Sequence, residues 1–344
     1  LDAAATRSSV PGGRHALLVH PDLHGPEYGM LRDFEQAIVA ATGAQMVSFP
    51  AEARDAAARL PLGTRKAPLR RFIRRTRMRI DADTVWVVCM GAENNLLDLV
   101  ALELPRGARK LVYIFDTLPH QDKSTQQLVL TSDVDLLITS FPDAVPRLNR
   151  ITGRSWQVVL QGASAKRFEA VELAKRGIAF SSYGRRLDAF HHALRDWSVR
   201  HGRYYDFQTS TGVRADVPCD DLYRQYAWHV GHSVFSVCWS VESTNPIRAG
   251  NLSPITCRWF EAAMAGAAII GRAPTLDAFF EVFPRELVTP VPDGVDVDAF
   301  LDEIWDRRQL MHERAMDWRG TLADRWSWDA RVDEILRLLA DRFD

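Results

Sequence analysis

Cysteine is scarce in this sequence. Only four occur in 344 residues, Cys89, Cys219, Cys238 and Cys257, and no two form a Cys-x-x-Cys pair. That spacing argues against a disulfide framework. Cys89, Cys238 and Cys257 fall in apolar segments, where a thiol behaves as a small hydrophobe. A reduced, cytosolic protein is the expectation. Net charge is equally scarce. Forty-three Lys and Arg stand against 44 Asp and Glu, leaving a formal charge of −1. No global pull towards nucleic acid exists, and no nucleic-acid partner is expected. No apolar run approaches the roughly 18–20 residues of a membrane span. Leu1 to Arg14 lacks the apolar core of a signal peptide, so none is expected. Neither solenoid-period repeats nor low-complexity tracts are found. What remains is 47% hydrophobic and 25% charged, the balance of a globular chain, at a length suited to two ordinary domains.

Apolar runs alternate with helical patterns along the chain. Strands are predicted at His15–His20, Ala44–Phe49, Thr84–Met90, Lys110–Phe115, Asp135–Thr139 and Trp156–Leu160. A turn at Gln161-Gly162-Ala163-Ser164 then reads as a hinge. The pattern restarts with strands at Gly177–Ser182, Tyr204–Thr209, Ser233–Trp239, Ala267–Ile270 and Leu287–Val291. Helices are predicted at 31–41, 94–102, 143–150, 186–200, 222–228, 297–325 and 328–343. Continuous apolar strands alternating with helices imply parallel sheets covered on both faces. Ligands in such sheets bind beyond the carboxyl ends of the strands, which directs attention to the loops at 20–29, 91–94 and 116–120.

The most informative stretch is Gly250-Asn251-Leu252-Ser253-Pro254-Ile255-Thr256-Cys257-Arg258-Trp259-Phe260-Glu261-Ala262-Ala263-Met264-Ala265-Gly266. Ser253 reads as an N-cap and Pro254 as the first helical residue. Ile255, Trp259, Phe260, Ala263 and Met264 recur at helical spacing, and Gly266 reads as the stop. A helix entrance presents free N–H groups and a positive dipole end to phosphate. Glu261, two turns on from Pro254, lies on nearly the same face. It can hold a ribose, as acidic residues do in nucleotide-binding α/β folds, or simply pair with Arg258 three residues earlier.

Phe260-Glu261-Ala262-Ala263-Met264-Ala265-Gly266 resembles the F/L-E-A-x-A-x-G helix of group 1 glycosyltransferases of the GT-B architecture. Arg258-Trp259-Phe260-Glu261 is similar to the R-x-F-E variant of their CgeB-like, spore-maturation-type branch. The resemblance implies an α/β fold with two Rossmann-like domains facing each other across a cleft. Residues 1–162 would form an acceptor domain and 163–325 a nucleotide-sugar donor domain, with a C-terminal helix at 326–344 packing back towards the first. It implies a metal-independent transferase moving a sugar from a nucleoside-diphosphate donor to a hydroxyl of a glycan, lipid-linked glycan or protein, as in bacterial polysaccharide biosynthesis. The nucleotide sugar is then a substrate and no cofactor is required. Glu261 would hold the ribose, and Asn251, Ser253, Thr256 and Arg258 would add donor contacts. Retaining members often carry a second glutamate eight residues before the first. Ser253 stands there, so retention and inversion both stay open. A nucleotide-sugar epimerase of the same fold and a non-catalytic nucleotide-sugar or glycan-binding protein are the alternatives.

Tyr183-Gly184-Arg185-Arg186, after the first strand of the second half, is similar to the G-R turn of this superfamily, whose arginine binds the donor diphosphate. Gly184 allows close approach and Arg185 a bidentate grip on phosphate. The lysine usual about six residues later is replaced by Phe190-His191-His192. Asp116 and His120, after the fourth strand, and Asp22 and His24, after the first, are the candidate catalytic groups, since taking a proton from an acceptor hydroxyl needs a carboxylate or imidazole. Three Asp-x-Asp patterns, Asp81/Asp83, Asp133/Asp135 and Asp296/Asp298, read as turns and caps, and no metal site is expected. The pairs His20/His24 and His229/His232 lack companion ligands and read as loop or cap histidines. The aromatic clusters at Tyr204–Phe207 and Tyr223–Trp228 suit core packing or stacking on a base. The basic run Arg65–Arg79 reads as a solvated helix, as an anionic acceptor site or as a peripheral contact with the inner face of a membrane.

Overall fold

The computed structural model describes residues 13–19, 28–48, 80–91, 107–208 and 219–343. The predicted helix at 94–102, the basic run 65–79, and Asp22 and His24 lie outside them. Two compact units emerge. One holds the described residues of 1–23, 34–160 and 331–344, and the other those of 24–33 and 161–330.

Unit one is built on six strands: β1 His15–Val19, β2 Gln45–Ser48, β3 Thr84–Gly91, β4 Arg109–Asp116, β5 Leu136–Thr139 and β6 Trp156–Val158. They form one sheet in the order β2-β1-β3-β4-β5-β6, with every pairing parallel. Parallel neighbours need crossovers, and α1 (Gly29–Thr42), α2 (Asp122–Ser132) and α3 (Val145–Thr152) provide three of them. Strand β1 is buried at every position, as a strand covered on both faces must be. Edge strand β2 is largely exposed. Helix α2 escapes sequence reading because only Thr125, Leu128 and Val129 of its first eight residues are buried, while Leu130 lies exposed. Such a polar segment carries little periodic signal.

Unit two carries β7 Ile178–Ser182, β8 Tyr205–Phe207, β9 Ser233–Trp239, β10 Ala268–Arg272 and β11 Val288–Pro290, again all parallel, in the order β11-β10-β9-β7-β8. Its longer helices are α4 Asp188–Arg200, α5 Cys219–Gly231, α6 Cys257–Met264, α7 Val297–Asp306 and α8 Arg308–Trp326; α9 Trp328–Phe343, most of it in unit one, closes the chain. The core packs Phe180, Trp197, Phe235 and Ile270 from the sheet and α4 against Leu301 and Ile304 of α7. Each such side chain contributes about 1.5–3 kcal/mol by leaving water. Where one helix was expected over 297–325, two occur, separated at Arg307 (φ −90°, ψ 4°). Neither proline nor glycine marks that break. Among the described residues no helix is long and apolar enough to cross a membrane.

Helix α6 starts later than its local sequence suggests. Thr256, not Ser253, takes the N-cap backbone position, and the first helical residue is Cys257 rather than Pro254. The Ser253 hydroxyl is engaged elsewhere, donating to Glu242 and accepting from the Thr275 N–H at 2.6 Å. Glu261 therefore lies about one turn inside the helix, not two.

Candidate functional site

In unit two the chain leaves β7 towards β8 on one side and returns to β9, β10 and β11 on the other. Strands β7 and β9 thus flank the point where strand order reverses, the place where open α/β sheets bind ligands. A small pocket open to solvent lies there. Tyr183 and Arg185 enter it from the turn after β7, Cys238 and Trp239 from the end of β9, Tyr226 from α5 and Arg258 from α6. Gly184 takes φ +82°, the left-handed conformation that favours glycine, and so lets the chain turn sharply after β7.

Arg185, the predicted phosphate ligand, and Arg258, a predicted donor contact, meet in this pocket. The Arg258 guanidinium carbon sits 4.5 Å from the centre of the Tyr226 ring, a cation–π distance. Its Nη1 donates to Glu261 Oε2 at 3.2 Å, and its side chain keeps 27% exposure. Burial alone would lower its pKa, but Tyr226 and Glu261 beside it more than reverse that, so the charge persists.

Glu261 is 1% exposed and does not line the pocket. Its Oε1 accepts from the Tyr223 hydroxyl at 2.6 Å. Its Oε2 accepts from the Tyr226 hydroxyl at 2.8 Å as well as from Arg258. Burial pushes both phenols well above their ordinary range, so both stay protonated and donate. The carboxylate thus stands one layer behind the pocket and holds Arg258 and Tyr226 in place. Tyr223 and Tyr226 are three apart on α5 and share a face. That spacing is visible in the sequence, but their shared acceptor is not.

The far end of α6 is neutralised by arginines. Arg319 Nε donates to the Met264 carbonyl at 2.7 Å and Arg176 Nη2 to that of Ala265 at 2.8 Å. Cations at a helix C-terminus complement its dipole, leaving the positive end towards the pocket. Burial pushes the Arg176 pKa down to about 10. Buried His312, near Arg176, is held below the ordinary histidine range by that burial and by the arginine's charge, and buried His191 is lowered by burial and by Arg186. A histidine whose folded pKa is depressed contributes stability above its unfolded value of about 6.5, and loses it as pH falls through the folded value. The melting temperature should accordingly fall between about pH 7.5 and pH 5.5, and His312→Gln should flatten that slope. Calorimetry of both proteins across the range checks it.

The other predicted residues are dispersed. Asn251 is exposed, and Thr256 is buried without a side-chain cap bond. Asp116 ends β4 in unit one, and His120 is exposed in a short 3₁₀ turn, Pro119–Gln121. His191, where a lysine is usual, packs inward with Nδ1 2.9 Å from the Tyr205 hydroxyl. His229 and His232 do not share a site, since His229 Nδ1 pairs with Asp206 and His232 Nδ1 with the Trp228 carbonyl. Asp206 also accepts from the pocket residue Tyr183, a link the sequence does not disclose. Of the Asp-x-Asp pairs, Asp81 and Asp83 hold Arg14, Asp135 accepts from the Lys110 N–H, and Asp296 caps α7.

No family model matches the sequence, and no curated protein matches it. Solved structures do match in shape. HepE of Anabaena, solved in complex with UDP-glucose, is 11% identical, with a TM-score of 0.55 over 96% of this chain and 100% of that one. Sucrose-phosphate synthase of Thermosynechococcus elongatus is 12% identical, with a TM-score of 0.57 over 96% of this chain and 99% of that one. At such identities the likeness establishes the fold. The chain is an α/β protein with two parallel, Rossmann-like sheets of the GT-B architecture.

Proposed function

We propose that this chain is a glycosyltransferase that takes a sugar from a nucleoside-diphosphate donor and places it on an acceptor hydroxyl. The observation that carries the reading is the pairing of Arg185 and Arg258 in the pocket at the switch point of β7 and β9. Two guanidiniums beside a helix start suit a diphosphate. One structure of similar fold holds UDP-glucose, a ligand of that class.

Transfer breaks the bond between the sugar and the diphosphate, and negative charge builds on the leaving oxygen. Preorganised donors at that oxygen stabilise the transition state more than the ground state. Arg258 is already fixed by Glu261 and Tyr226 and need not reorganise. The arginines supply the countercharge, so transfer is proposed to be metal-independent. Asp116 and His120 in unit one, with Asp22 and His24, are the groups proposed to receive the acceptor's proton. The acceptor is proposed to be a glycan, lipid-linked glycan or protein, and the CgeB-like branch rests on Arg258-Trp259-Phe260-Glu261.

A thermal-shift screen with UDP, GDP, ADP and their sugar conjugates tests the reading. Ligand at a hundred times its Kd stabilises the folded state by about 2.7 kcal/mol, a shift of several degrees. Arg185→Ala and Arg258→Ala should each weaken nucleotide binding about ten- to a hundred-fold, as loss of a charge-assisted hydrogen bond does. Equal shifts in wild type and both variants would place the nucleotide elsewhere. Release of free nucleotide without an acceptor would favour the epimerase, and binding without turnover the non-catalytic protein.

A further inference from the structure

Glu242 lies three residues beyond Trp239, in a short helical turn (Val241–Thr244) that follows β9. Its Oε1 is engaged by two donors. The Ser253 hydroxyl donates to it, and so does the Thr275 N–H at 3.3 Å. Ser253 precedes α6, and Thr275 lies three residues beyond β10. Three segments from the carboxyl side of the sheet therefore converge on one carboxylate oxygen. The other oxygen, Oε2, is buried and accepts no hydrogen bond among the described residues.

A carboxylate oxygen withdrawn from water without a donor is unfavourable, and few such atoms occur in folded proteins. Ser253 and Thr275 need only one acceptor, so the second oxygen is surplus to the fold. Glu242 as a whole is partly exposed, although this oxygen is buried, so a ligand group that pairs with it must displace its cover. The ligand group it suits is a neutral hydrogen-bond donor. A phosphate is repelled by like charge, whereas a sugar presents hydroxyls that donate.

We infer that Glu242 recognises the donor sugar, its carboxylate accepting hydrogen bonds from hydroxyls of the hexose carried on the diphosphate. The inference rests on the transferase reading above and deepens it. Arg185 and Arg258 hold what every nucleoside diphosphate shares, and Glu242, just past the pocket wall at Trp239, selects those that bear a sugar.

Calorimetric titration of wild type, Glu242→Gln and Glu242→Ala with UDP and UDP-glucose, and with GDP and GDP-mannose, tests it. Both variants should bind the bare diphosphate as wild type does. Their affinity for the nucleotide sugar that wild type prefers should fall about ten- to a hundred-fold, the loss expected when a hydroxyl no longer meets a charged acceptor. Glu242→Gln keeps an acceptor for Ser253 and Thr275, and its ligand-free melting temperature should stay near wild type. Equal losses for diphosphate and nucleotide sugar, or no loss for either, would overturn the assignment and leave the transferase reading standing. A wild-type protein that binds neither class of ligand would remove that reading, and the role of Glu242 with it.

Discussion

Glu261→Ala should lower the stability of the ligand-free protein by about 3–5 kcal/mol, the range found when one partner of a buried charged network is removed. The side chain is 1% exposed and accepts from Tyr223, Tyr226 and Arg258. Alanine leaves one buried and one half-buried phenol hydroxyl and one guanidinium without their acceptor, and each must then find water or stay unpaired. Domains are stable by about 5–15 kcal/mol, so this one change can remove a third or more of the margin. Glu261→Gln keeps the volume and one acceptor oxygen but sets an amide group against a donor, and it should cost less than alanine. Tyr223→Phe should cost least, about 1–3 kcal/mol, since one carboxylate oxygen alone loses its donor. Urea unfolding without nucleotide decides the matter. A glutamate whose only task is to touch a ligand would leave ligand-free stability almost unchanged. Nucleotide binding should fall in Glu261→Ala as well, because Arg258 and Tyr226 lose the group that orients them.

How much of this was legible in the sequence varies with the range of the interaction concerned. Strand β9 is readable because Val234-Phe235-Ser236-Val237-Cys238-Trp239 is a short apolar run, and burial on both faces of a parallel sheet demands such a run. The turn at Gly184-Arg185 is also a local signal. The start of α6 misled because Ser253-Pro254 has the local chemistry of a cap, yet the serine hydroxyl is drawn off by Glu242 and Thr275, neighbours only in the folded chain. Glu261 illustrates the same limit. Its spacing from Arg258 predicts a pair, which forms, but the tyrosines that seal it into the interior lie more than thirty residues earlier. Periodicity reports which face of a helix is apolar and cannot report which polar group on a neighbouring helix will meet it.

Gly271→Ala should be the most damaging single methyl in unit two, costing more than about 4 kcal/mol and preventing recovery of folded protein under ordinary conditions. Gly271 lies in β10 opposite Cys238 of β9 and takes φ +148°, outside the range that L side chains favour. A Cβ there would sit 1.7 Å from the Cys238 carbonyl oxygen and 2.8 Å from its carbon. The obstacle is backbone, so no rotamer change relieves it, and β9 and β10 must separate where they pair. Gly294→Ala is the informative control. That glycine has φ +65° with nothing within 4 Å, so alanine meets only conformational strain of about 1–2 kcal/mol. Melting both variants beside wild type separates the two effects, and similar losses would show that steric contact at Gly271 is not what matters. The position also bears on function. Glycine inside a strand marks a close approach of backbones, and here the strand it approaches carries Cys238 and Trp239, two walls of the pocket. Any folded Gly271→Ala protein that can be recovered should therefore bind nucleoside diphosphate more weakly than its residual stability alone would predict, while Gly294→Ala should bind as wild type does.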